Sequence, residues 1–163
     1  MIEIPERRML NLGGFLACTG LMLYALYAQY FLELAPCPLC VFQRIAVIAM
    51  GLVFLAAALH NPGRLGAGCY ALLTTAAAAG GIAVAGRHVW LQSLPPDKVP
   101  ACGPGLDFML DSFPLAEVLQ MVFSGSGECA EVDWSLFGLS MPAWVLIAVS
   151  ILGIYGVAAN LRR

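Results

Sequence analysis

The sequence predicts an all-α membrane protein: a four-helix transmembrane bundle with a short interfacial helix in its second outer loop. Three observations carry that reading. Hydrophobic residues make up 61% of the 163 and charged residues 11%, against roughly 45–50% and 25% in ordinary soluble domains. Four intervals, 9–32, 45–63, 65–86 and 134–161, hold no charged residue, and a helix needs about 20 residues to cross a hydrocarbon core of roughly 30 Å. Between the third and fourth lies a segment too long for an idle connection, which contains a short helical stripe of its own. One integral-membrane domain, residues 1–163, is therefore expected, with helices at about 10–32, 40–59, 66–86 and 142–161 and outer loops at 33–40 and 87–141.

The first run is too long for a secretory h-region of 7–15 residues and reads as an uncleaved helix. Leu34-Ala35-Pro36-Cys37 loosely resembles a lipoprotein processing site, but Pro36 precedes the cysteine and Glu33 interrupts the apolar run. Tyr24, Tyr27 and Tyr30 fall toward the outer end, where aromatic rings suit the headgroup level. The second helix ends in Asn61-Pro62-Gly63, a tight turn between antiparallel neighbours. In the third, Ala77, Gly81 and Ala85 recur every four positions, which lets a neighbouring backbone approach closely. Cys18 and Cys69 lie inside spans and read as inert, buried, small apolar side chains.

In the long loop, Leu115, Val118, Leu119 and Val122 stand at i, i+3, i+4 and i+7. That stripe is too short to span and suits a helix lying flat in the interface. Cys102 and Cys129 each lie in a Gly-rich or Pro-rich stretch, which suits a disulfide that must move between partners; the plainer reading is a static staple worth about 3 kcal/mol. The last helix starts at Met141-Pro142-Ala143-Trp144, with Pro142 suited to a first turn.

Orientation follows Lys and Arg in the short flanks. With four spans, Arg7, Arg8, Arg64, Arg162 and Arg163 share one side, whereas Arg44, Arg87 and Lys98 share the other. Both termini are therefore expected in the cytoplasm and the two loops outside, so that Cys37, Cys40, Cys102 and Cys129 lie in the outer loops, where an oxidising compartment would leave those four in disulfides. The formal net charge of −2 and the membrane composition leave no nucleic-acid partner to expect.

Cys37-Pro38-Leu39-Cys40 is the stretch that carries chemistry. A Cys-x-x-Cys pair serves as half of a zinc site or as a redox dithiol. Zinc needs two more ligands, and no second compact Cys or His pair follows in the sequence, so no metal is expected. A c-type haem needs His after Cys40, where Val41 stands. A thiolate near a helix N-terminus and close to a cation is stabilised; with a helix from Cys40 and Arg44 one turn on, Cys40 takes that place. Pro38 favours the first helical position, which would instead make Cys37 the cap. From the residues alone Arg44 reads equally as a snorkelling anchor, and His88 beside Arg87 as an interface residue. No nucleotide-binding glycine motif appears.

Four spans, a Cys-x-x-Cys opening the second, Arg44 one turn later and two cysteines far apart in the last outer loop together resemble the DsbB family of disulfide-generating membrane proteins. The stretches Trp134-Ser135-Leu136-Phe137-Gly138-Leu139-Ser140-Met141-Pro142-Ala143-Trp144 and Glu128-Cys129-Ala130-Glu131 resemble the family's final loop and last-helix entry. Pro38 stands inside the redox pair where Val is familiar. The resemblance implies a protein of the bacterial inner membrane that reoxidises a periplasmic thioredoxin-like thiol oxidase of the DsbA type. Electrons would pass from Cys102 and Cys129 to Cys37 and Cys40, then to a membrane quinone, ubiquinone or menaquinone. It further implies that Arg44, His88 and Gln92 lie beside that quinone. Such an oxidase has a potential of about −120 mV, so its reoxidant needs a still stronger acceptor.

Two other readings use the same residues. A vitamin K epoxide reductase-like quinone reductase places its Cys-x-x-Cys late in the chain, whereas here it follows the first span. A non-enzymatic membrane protein would hold the four loop cysteines as static disulfides. A thiol transporter would need reactive cysteines within the spans, and Cys18 and Cys69 share no motif.

Overall fold

A computed structural model describes residues 7–101, 103 and 106–162. Four long helices make the body: α1 (Arg7–Phe31), α2 (Pro38–His60), α3 (Arg64–Gln92) and, after the long loop, α6 (Met141–Leu161). Each is long and apolar enough to cross a membrane. The loop holds α4 (Leu106–Ser112), α5 (Leu115–Ser124), two single 3₁₀ turns at Pro96–Lys98 and Gly127–Cys129, and a two-residue hairpin of β1 (Ser135–Leu136) and β2 (Leu139–Ser140).

Proline and polar stops set the helix ends. At Asn61 the backbone turns left-handed (φ 42°) and its N–H closes on the Ala57 carbonyl at 3.0 Å. Pro62 and Gly63 then return the chain into α3. The third helix does not stop at the first charge, as the sequence reading had it at residue 86; it runs on through Gln92 and ends at Ser93, before Pro95 and Pro96. A charge ends a stretch of lipid-compatible surface, but it does not break a helix. The long loop accordingly starts after Gln92.

Small residues let the helices close on one another. A Cβ on Gly81 would stand 3.3 Å from Ala46 and 3.4 Å from Val149, and one on Gly156 would collide with Thr74 and Phe54. Ala85 is buried as expected from its four-residue spacing, while Ala77 is only partly so. Phe54, Met50 and Val149 fill the centre of the bundle. Cys18 is buried among them. Cys69 is exposed, contrary to the buried role expected of it. The packed face of α3 carries Ala67, Ala71, Thr74 and Ala78, and two residues from Ala67 is about 200° around a helix.

At one end α1 and α6 are tied together by hydrogen bonds. There Asn11 and Asn160, both buried, exchange amide hydrogen bonds at 3.2 and 3.1 Å. The Tyr155 hydroxyl donates to the Leu10 carbonyl at 2.8 Å, and Arg7 donates to the carbonyls of Pro62 and Arg162. Toward the other end the two helices form opposite walls of a cleft. The loop covers that end. Val118 and Val122 of α5 turn inward onto Leu39 and Leu91, so half of the predicted stripe packs on protein, while Leu115 stays exposed.

Candidate active site

Pro38 sets the register of the site. Its fixed φ suits the first helical position and its missing N–H costs nothing there. α2 therefore starts at Pro38, two residues before the start read from the sequence, and Cys37 becomes the N-cap with extended backbone (φ −67°, ψ 164°). Cys40 follows within the same first turn. The helix-end position assigned to Cys40 thus belongs first to Cys37. Their sulfurs stand 3.2 Å apart, and no disulfide joins two of the described cysteines.

The extension of α3 brings His88 inward. It is 3% exposed, with Nε2 3.8 Å from Cys37 Sγ and Nδ1 accepting from Gln43 Nε2 at 3.0 Å. The interface role read for His88 from sequence is thereby corrected. Arg87, one residue earlier, points away, stacks on Trp90 at 4.2 Å and donates to the carbonyls of Phe123 and Ser124 at 3.1 and 2.9 Å. It holds the C-terminal end of α5, where unpaired carbonyls favour a cation.

From there the chain turns at Gly125 (φ 86°) and enters the 3₁₀ turn that ends at Cys129. Cys129 is buried, and its Sγ, the Cys37 Sγ and a ring nitrogen of His88 all lie within 4.8 Å of one another. The hydrogen bond with Cys37 and burial push the Cys129 thiol well above its ordinary range. With both cysteines reduced, ionising one opposes ionising the other. Ser126 Oγ lies 3.6 Å from the Cys129 sulfur. Cys102 lies outside the described residues.

Below Cys37 and Cys40 opens a cleft of about 620 Å³ between α1 and α6. Leu21, Ala25, Val47, Val145 and Ala148 make its apolar walls; Arg44, His88 and Gln92 supply polar groups. The Arg44 guanidinium reaches across to α1, donating to Gln29 Oε1 and, at 3.2 Å, to the Ala25 carbonyl. It is a fixed cation rather than a free one. Gln92 accepts from Ser140 Oγ at 2.6 Å and donates to the Glu131 carbonyl at 3.3 Å. That ties the chain beyond Cys129 to the end of α3.

All of the described site residues singled out in the sequence therefore converge: Cys37, Cys40, Cys129, Arg44, His88 and Gln92 line one cleft or touch its rim. Two were missed. Gln43 is buried and orients His88; Gln29 anchors Arg44. The available signal was an uncharged amide inside an otherwise apolar span, since polar groups there need partners.

Comparison with known proteins identifies the family. The family described as "Disulfide bond formation protein DsbB" matches residues 7–159. A disulfide bond formation protein B of Methylococcus capsulatus is 54% identical over 156 residues, covering 96% of this chain and 95% of the relative. Proteins of the same description from Nitrosococcus oceani and Hahella chejuensis are 57% and 59% identical, covering 86% and 82% of this chain and 83% and 81% of their own lengths.

Proposed function

Because this chain belongs to the DsbB family of disulfide bond formation proteins, we propose that it reoxidises a periplasmic, DsbA-like thiol oxidase and passes the electrons through two cysteine pairs to a membrane quinone. The supporting observation is the position of Cys37. Its sulfur is 3.2 Å from Cys40 and within 4.8 Å of Cys129, and thiol–disulfide exchange requires contact between sulfurs. Cys37 Sγ is thus an atom that both pairs can reach.

The reaction starts from two disulfides, Cys102–Cys129 and Cys37–Cys40. A thiolate of the reduced partner attacks Cys102, and the Cys102–Cys129 bond breaks. Cys129 then attacks Cys37, and Cys40 leaves as a thiolate in the first turn of α2, where the helix dipole favours negative charge. The partner's second thiol attacks the mixed disulfide, which releases oxidised partner and the Cys102 thiolate. Attack by Cys102 on Cys129 restores the outer disulfide and leaves two electrons on Cys37 and Cys40. Two thiol protons accompany them, and His88 stands where its imidazole can take a proton from Cys37.

The cleft suits a flat, apolar acceptor with carbonyl oxygens. Its volume of about 620 Å³ lies within the usual 300–1,000 Å³ of a small-molecule site, apolar with few polar groups. A quinone, ubiquinone or menaquinone, would supply a two-electron, two-proton acceptor there that restores the Cys37–Cys40 disulfide. Arg44 places a fixed positive charge on the wall, in a setting of low dielectric where it counts for more than in water. Gln92 keeps the loop wall closed on the same space.

The proposal places both termini in the cytoplasm and the site at the periplasmic face of the inner membrane, on the asymmetry of Arg and Lys, with α5 at the interface. Its test is covalent. Cys129→Ser should accumulate a mixed disulfide between Cys102 and the soluble partner, and purified wild-type protein should oxidise reduced partner with one quinone consumed per disulfide. Accumulation in Cys102→Ser instead would reverse the order of the outer pair; oxidation that proceeds without quinone would remove the acceptor.

A further inference from the structure

The sequence offers no second ligand pair to Cys37 and Cys40, but the fold supplies one from other elements. Cys37 at the start of α2, His88 on α3 and Cys129 in the loop converge with their ligand atoms within 4.8 Å, all three buried. We infer that the reduced protein holds a thiophilic divalent ion, of the Zn²⁺ or Cd²⁺ class, between Cys37 Sγ, Cys129 Sγ and the His88 imidazole.

The geometry is close to what such an ion needs. Zn–S bonds of about 2.3 Å and Zn–N bonds of about 2.0–2.1 Å at tetrahedral angles separate ligand atoms by roughly 3.5–3.8 Å. Closing the present cluster onto an ion therefore takes movements of about 1 Å. Charge also fits: two thiolates and a neutral imidazole cancel a divalent charge, so the buried complex carries none. Gln43 completes the arrangement. Its amide meets His88 Nδ1 at 3.0 Å, and turning the amide presents Oε1 to an Nδ1–H, which frees Nε2, the nitrogen nearest Cys37, for the ion. Ions reach the cluster through the cleft that Cys37 and His88 line.

Binding releases the two thiol protons and moves no electrons. A disulfide at either pair consumes a ligand, so only the reduced protein binds. A bound ion occupies the two sulfurs that must meet during exchange, and it holds the protein reduced until the metal leaves. The inference rests on the cluster alone and stands apart from the identity of the electron acceptor.

The experiment uses the full chain in detergent, reduced and kept anaerobic, with Zn²⁺ titrated against a chromophoric chelator and Cd²⁺ followed by its thiolate charge-transfer absorption. Reduced wild-type protein should bind one equivalent and oxidised protein none. His88→Ala and Cys129→Ser should each weaken binding at least tenfold, Gln43→Leu by about 10–100-fold as an orienting partner, and Gln43→Glu should restore it. Cys69→Ser, at an exposed position away from the cluster, should bind as wild type. Thermal unfolding of each variant separates a lost ligand from a lost fold, and the Gln43 pair keeps the test open if His88→Ala fails to fold. Wild-type affinity in both His88→Ala and Cys129→Ser would leave the ion on Cys37 and Cys40 alone and overturn the inference. Equal binding by oxidised protein would do the same.

Discussion

Gly125→Ala is the perturbation that most directly tests how Cys129 is held against Cys37. The residue closes α5, its N–H bonding to the carbonyls of Met121 and Val122, with φ 86° and ψ 155°, a region that is essentially glycine-only and costs other residues about 1–3 kcal/mol. An added Cβ would stand 2.5 Å from Leu91 Cδ1 and 3.1 Å from Cδ2. Leu91 cannot yield easily, because it is fully buried against Met109, Val118 and Val122, and overpacking of that kind costs about 1–3 kcal/mol. Even the low sum, about 2 kcal/mol, lowers the docked population of the Cys129 segment roughly 30-fold. The assay is formation of the Cys37–Cys129 disulfide under mild oxidant, in a Cys40→Ser, Cys102→Ser background where those two are the remaining loop thiols. Gly138→Ala is the control, since Gly138 also has positive φ (78°) but no atom within 4 Å of an added Cβ; its rate should stay within a few-fold of the parent. If folded Gly125→Ala cross-links at the parent rate, the turn is not what positions Cys129.

Arg44→Lys keeps the charge but loses the planar fork that engages Gln29 and Ala25, so quinone use should fall moderately; Arg44→Met should impair it severely, with both proteins still folded. Steady-state kinetics at varied quinone decide this, and an unchanged kcat and quinone KM in Arg44→Met would return Arg44 to the role of a membrane anchor. For topology, Asp97→Cys and Asp133→Cys, both at exposed positions, should react with an impermeant thiol reagent in intact cells. Gly63→Cys should react only after the inner membrane is permeabilised, and the opposite pattern would invert the orientation. Asn11→Ala strands the Asn160 amide and should lower thermal stability by about 0.6–2 kcal/mol; a double-mutant cycle with Asn160→Ala that shows no coupling would deny the pair its role.

The spans were legible because lipid imposes a simple rule, the absence of charge over about 20 residues, which α1, α3 and α6 obey and from which α2 departs at Arg44. The same rule hid where α3 ends. Arg87 and His88 looked like the start of a loop, yet one grips α5 and the other faces Cys37 from within a continuous helix. Cys37 and Cys40 stood out by type and spacing, whereas Arg44 read from the residues equally as a snorkelling anchor and was set beside the site only by the resemblance. Their surroundings were not legible: Gln43 meets His88 across 45 residues and Gln29 meets Arg44 across 15. Such pairs follow from tertiary packing, to which neither periodicity nor spacing refers. Pro38 was read as a complication of the redox motif, and its physical effect is plain in the structure, where it moves the helix start and turns Cys37 into the cap.

The clasp that joins α1 to α6 is built on a pair of amides. Asn11 and Asn160 satisfy one another, and their remaining amide contacts go to the carbonyls of Arg7 and Gly156. No formal charge resides on the pair. An elementary charge moved through a potential of 100 mV exchanges about 2.3 kcal/mol with the field, and a titratable pair in the same place would also follow pH. A neutral amide clasp does neither. Voltage and proton gradient across a membrane therefore do no work on the amide pair itself; the charge at this joint is that of Arg7, which donates to the carbonyls of Pro62 and Arg162.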